Sequence, residues 1–108
     1  MTDEKTRTLD TENTPNTTFM MDFKIACWSG KAAILDTFNR AAKEWIDNVE
    51  YFTQLVIALN HLSWFFYEHD RPNLSELFAD LFYKAQDMFY AKYENDKDAM
   101  HYYFVLTD

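Results

Sequence analysis

The chain has 108 residues, 48% of them hydrophobic and 19% aromatic, and a net charge of −8. That length holds one small domain and not two, and the aromatic surplus (ten Phe, seven Tyr, three Trp) lets so short a chain bury a real core. The charge disfavours direct binding to nucleic acid or to an anionic membrane surface, since both require Lys and Arg, and the single cysteine, Cys27, excludes an intrachain disulfide and a four-cysteine zinc site.

One glycine and two prolines are too few for the tight turns of a β-rich fold. The expectation is therefore an all-α domain. Residues 1 to 16 are rich in Thr, Asp, Glu and Asn, with Leu9 the one large apolar side chain besides Met1. Such a segment buries too little surface to offset its ordering entropy and reads as a disordered tail. It has no apolar core of a secretory signal, which points to a reducing cytoplasm. The domain then spans 17–108, its first helix capped by Thr17 or Thr18 and running to about Trp28.

Ser29-Gly30 breaks the chain, and the periodicity predicts a second helix over 31–47. Ile34, Leu35, Phe38, Ala41, Ala42, Trp45 and Ile46 fall on one side at ~100° per residue. Asp36, Arg40, Lys43, Glu44 and Asp47 fall on the other. Asp36/Arg40 and Lys43/Asp47 form i,i+4 pairs of ~0.3–0.5 kcal/mol each. Asn48 is placed to cap a third helix over 49–68. Phe52, Leu55, Val56, Ile57, Ala58, Leu59, Leu62, Trp64, Phe65 and Phe66 make this helix apolar nearly all round, with a narrow polar strip of Glu50, Gln54, His61 and Glu68. Thr53, Gln54, Asn60, His61 and Ser63 interrupt it too often for a membrane span. A central helix covered on several sides fits better.

"HDRPN" makes the next turn, and Asn73 with Glu76 has capping-box spacing. A fourth helix over 74–94 carries the stripe Leu74, Leu77, Phe78, Leu81, Phe82, Ala85, Met88 and Phe89. Asn95 or Asp96 can cap a last short helix, although "AMHYYFVL" also fits a strand. Short connections join these elements into a compact antiparallel bundle of four to five helices.

Catalytic and metal patterns are sparse. The histidines His61, His69 and His101 form neither His-x-x-x-His nor Glu-x-x-His. Asp98 and His101, at i,i+3, make half a metal site. Ser63 lacks the glycines of a nucleophile elbow and lies ~160° around its helix from His61. No glycine-rich loop cradles phosphate. The expectation is no enzyme, no metal and no cofactor. Asn60 and Ser63 face the apolar side, where buried polar groups need partners. They either pin a neighbouring helix or line a small pocket.

The most informative surface is on the fourth helix, opposite its apolar stripe. Glu76, Asp80, Tyr83, Asp87, Tyr90 and Glu94 are spaced 4, 3, 4, 3, 4 and stack along one face. The line holds no base, with Lys84 off to one side. A solvated face with two incidental tyrosines is one reading. The other is a surface for an Arg/Lys-rich groove of a partner protein, with the tyrosines supplying rigid contact area.

Three runs carry a resemblance: "AAILDTFNRAAKEWIDNVEYFTQLVIALNHLSWFFYEHD", "LSELFADLFYKAQDMFYAKY" and "YYFVLTD". Over about residues 19 to 108 they resemble small all-helical proteins carried by phages and other mobile elements of bacteria. The resemblance implies no catalytic residues. It implies an anti-defence setting, such as an anti-CRISPR protein that inhibits an RNA-guided effector nuclease of the host cell. A structural or regulatory module acting as a homodimer is the alternative.

Overall fold

The computed structural model describes residues 15–107, with side chains from Thr17 onward. Five helices follow one another: α1 (Pro15–Cys27), α2 (Lys31–Trp45), α3 (Val49–Glu68), α4 (Pro72–Tyr93) and α5 (Lys97–Thr107). Among the described residues there is no strand, and no helix is long and apolar enough to cross a membrane. The all-α expectation holds, and the last segment is helical rather than extended. The expected tail lies outside the described residues except at Pro15 and Asn16, which are already helical. Thr17 and Thr18 therefore sit inside α1 and do not cap it.

Each turn has a local cause. Gly30 enters α2 at φ 100, ψ −176, with no side-chain cap. The Ser29 N–H donates to the Ala26 carbonyl at 2.9 Å, closing the end of α1. Asn48 caps α3 as the spacing predicts, its Oδ1 accepting from the Tyr51 N–H at 2.9 Å. After α3, Asp70 adopts the left-handed conformation at φ 58. The Arg71 N–H reaches back to the Phe66 carbonyl at 2.8 Å and the Asp70 N–H to Tyr67, the paired bonds of a Schellman ending. Pro72 then opens α4, where its missing N–H and fixed φ carry no penalty. Helix α4 thus begins two residues early, and Asn73 lies within its first turn instead of capping it. Before α5, Asp96 is the cap, its Oδ1 accepting from Ala99 at 3.1 Å.

Helix α3 packs on all four others, as its all-round apolarity requires. Phe52, Leu55, Val56, Ala58, Leu59 and Leu62 are fully buried along it. Two groups of rings flank this spine. At one end Phe78 of α4 stands edge-on to Phe23 of α1 at 5.6 Å and stacked on Phe66 at 5.6 Å. At the other, Phe89 stacks on Tyr103 of α5 at 4.3 Å and on Phe52 at 6.4 Å. Each buried ring contributes roughly 1.5–3 kcal/mol by burial, and each good pair about 0.5–1.5 kcal/mol more. The Tyr93 hydroxyl donates to the Ile46 carbonyl, tying the end of α4 to the α2–α3 turn.

Two expectations on charge and burial change. Asp36 and Arg40 pair at 3.0 Å. Asp47, however, lies beyond the end of α2, so the i,i+4 geometry with Lys43 is lost, and Lys92 of α4 takes its carboxylate. Trp64 and Tyr67 are exposed at the end of α3. Trp64, three residues past His61, falls along the polar strip rather than in the core.

Candidate functional site

Helix α4 presents the acidic line because its other side is committed. Phe78, Leu81, Ala85 and Phe89 are buried against α3, which turns Glu76, Asp80, Tyr83 and Asp87 outward. All four are exposed. Glu94 follows as the C-cap residue, its N–H still donating to the Tyr90 carbonyl in helical fashion at 2.9 Å. From Glu76 to Glu94 the line runs about 27 Å at ~1.5 Å per residue.

The two tyrosines differ. Tyr83 is 61% exposed, its ring standing edge-on to Phe82 at 5.1 Å. Tyr90 is half-buried, set against Tyr103 at 5.8 Å and Phe104 at 6.4 Å. Helix α5 therefore covers the line at Tyr90. The continuous exposed part is Glu76 to Asp87, about 16 Å long. Tyr90 is an edge of the α4–α5 junction more than a free contact residue.

Among the described residues neither base of α4 forms an ion pair with this line, although Lys84 follows Asp80 by four residues. Lys84 sits over the Phe38 ring of α2 at 5.6 Å. Lys92 is held by Asp47, whose hydrogen bond and charge both push its ammonium pKa upward. The surface offers spaced negative charge and an exposed phenol. Four carboxylates over about 27 Å are far more dilute than a duplex, with one charge per ~1.7 Å of axis.

The central stretch of α3 divides between packing and surface. Ser63 Oγ donates to the Ser75 carbonyl at 3.0 Å, and Ser75 Oγ donates to the Ser63 carbonyl at 2.8 Å. This reciprocal pair pins α4 to α3. Asn60 does not pin. It lines a groove of about 280 Å³ with His61, Gln86, Tyr90 and Tyr103. Inside that groove Gln86 Nε2 donates to the Tyr103 hydroxyl at 3.0 Å, and burial pushes the Tyr103 pKa up to about 12. His69 stacks on Phe65 at 4.2 Å, with its Nδ1 2.8 Å from the Phe65 carbonyl oxygen. Burial raises the Cys27 thiol pKa, which lowers its thiolate fraction. Asp98 and His101 are both exposed on α5. Among the described residues no three His, Cys, Asp or Glu side chains gather in a way that could hold a metal ion.

One feature escaped the sequence reading. Met21, Ile25 and Trp28 of α1 stand exposed in a row beside a groove of about 720 Å³. The signal was present in the spacing 4, 3 opposite Phe19, Phe23 and Ala26. A short helix with apolar residues on both sides reads simply as a buried one. Comparison with protein-family models, with curated proteins and with solved structures finds no match for this chain.

Proposed function

We propose that the chain is a non-catalytic binding protein that docks the exposed face of α4 on a basic surface of a partner protein and blocks that surface by occupancy. The observation that carries this reading is the segregation of charge on α4. Glu76, Asp80 and Asp87 flank an exposed Tyr83, while Lys84 and Lys92 of the same helix are engaged elsewhere. Surfaces rich in Arg and Lys are those that otherwise hold nucleic-acid phosphates. With the resemblance to mobile-element proteins, this makes an RNA-guided nuclease of a bacterial host the first partner to test. On this reading the protein acts in the bacterial cytoplasm and needs no cofactor.

Binding of the purified chain to such a nuclease, and inhibition of its DNA cleavage, is measured at low and high salt. Steered association slows as salt rises. Combining Asp80→Lys, Tyr83→Ala and Asp87→Lys is expected to weaken binding about tenfold or more, equivalent to about 1.4 kcal/mol. Full binding by the triple variant would exclude this face.

A separate observation favours a homodimer as the second reading. Phe104, Val105 and Leu106 of α5 are all exposed, and association through this end of the chain would cover them. Sedimentation over a range of concentrations distinguishes the two. A dimer that Val105→Glu dissociates supports self-association through α5, and a monomer at all concentrations removes it.

A further inference from the structure

The exposed row on α1 is a second surface, chemically unlike the first. Met21 is 59% exposed, Ile25 54% and Trp28 87%. Their spacing of four and three makes a ridge about 10 Å long, or two helical turns. The ridge borders the 720 Å³ groove, whose floor includes Met20, Phe65 and Leu74. Methionines and a tryptophan at a groove lip give adaptable apolar contact area.

Charge identifies what fits there. The charged side chains lining the groove are Lys24 and Arg71, and among the described residues no carboxylate lines it. Asp22 of α1, Glu68 of α3 and Asp70 of the α3–α4 turn lie nearby in sequence but outside the lining. The chain as a whole carries 18 acidic against 10 basic residues, so this is a local inversion of its charge. Lys24 holds its ammonium 4.2 Å above the Phe65 ring, at the edge of the apolar floor. Trp28 lines the groove yet is 87% exposed, so an occupant confined to the floor would leave much of its ring in water. A helix laid along the ridge covers both. Residues 1–14, ahead of α1, supply only Met1 and Leu9 as large apolar side chains and cannot match a three-residue ridge.

We propose that this groove receives an amphipathic helix of a partner protein, one with a leucine-type apolar stripe flanked by Asp or Glu. The apolar stripe packs on Met21, Ile25 and Trp28, and the carboxylates meet Lys24 and Arg71. This surface is independent of the acidic line. Leu74, which lines the groove, lies ~160° around α4 from Glu76. Failure of one therefore leaves the other standing.

The test uses the full chain and two fluorescein-labelled synthetic peptides of four helical turns. Both carry the same leucine stripe, one flanked by Glu and the other by Lys. Fluorescence anisotropy is expected to show saturable binding of the Glu peptide and about tenfold weaker binding of the Lys peptide. Ile25→Asp with Trp28→Ala, both exposed positions, should abolish binding while circular dichroism stays unchanged. Lys24→Glu with Arg71→Glu should reverse the preference between the peptides. Equal affinity for both peptides, no saturation up to the millimolar range, or binding that survives Ile25→Asp with Trp28→Ala overturns the proposal. So does self-association of the chain that the same double variant removes, because the occupant is then a second copy.

Discussion

At the scale of single residues, two positions make sharp predictions. Gly30 holds a backbone conformation that residues with a Cβ rarely adopt, at φ 100. A Cβ built there meets nothing within 4 Å, so a substitution changes conformational energy and not packing. Gly30→Ala is expected to destabilise by about 1–3 kcal/mol in urea denaturation, and a neutral result would show that the α1–α2 turn rearranges freely. Thr53 is the opposite case. It is fully buried on α3, and its hydroxyl has no hydrogen-bond partner. Thr53→Val keeps the shape and removes the unpaired group, so it is expected to stabilise by about 1 kcal/mol. A loss of stability there would mean that the hydroxyl has a water or protein partner. The break at Gly30 is legible in the sequence, because it is the chain's one glycine. The burial of Thr53 is not, because in one dimension it looks like any polar interruption of an apolar run.

At the scale of elements, the strongest specific link between α3 and α4 is the reciprocal Ser63–Ser75 pair. Ser63→Ala and Ser75→Ala are each expected to cost about 1 kcal/mol. The double variant should cost less than the sum, since each hydroxyl bonds the other residue's carbonyl across the same junction. Additive losses would argue that the two bonds act separately. The α4–α5 junction gives a pH dependence. The folded state holds the Tyr103 proton up to about pH 12, above the phenol's ordinary value of 10.0, chiefly because burial penalises the phenolate. The raised folded value means this contribution to stability is complete below about pH 10 and is lost as pH rises towards about 12. Urea midpoints across that window should fall in the parent, and fall less in Tyr103→Phe. The first four helices were readable from periodicity, and the α3 limits and the Asn48 cap match the structure, whereas "AMHYYFVL" fitted helix and strand alike and only the structure makes it α5. The start of α4 differs from the expected one because Pro72 opens the helix without a side-chain cap, and α1 is already helical at Pro15, the first described residue.

At the scale of the molecule, three-residue connections and one helix apolar all round were enough to place α3 at the centre. What the sequence could not reveal is which apolar residues remain uncovered. Met21, Ile25 and Trp28 have the same composition as core residues, and only the positions of α2 and α3 beside α1 show that nothing within the described residues covers them. The same holds for Tyr90, which shares the helical angle of Tyr83 but is partly covered once α5 folds back. The acidic line was legible because charge is seldom buried and periodicity alone sets its face. The placement of the tryptophans has a practical consequence. Trp28 and Trp64 are exposed and Trp45 is half-buried, while the fully buried rings are Phe and Tyr. Tryptophan emission should therefore already be red-shifted in the native protein and change little on unfolding. The near-ultraviolet dichroism of the Phe and Tyr core should collapse in the same transition, so a protein that looks unfolded by its fluorescence would still be native.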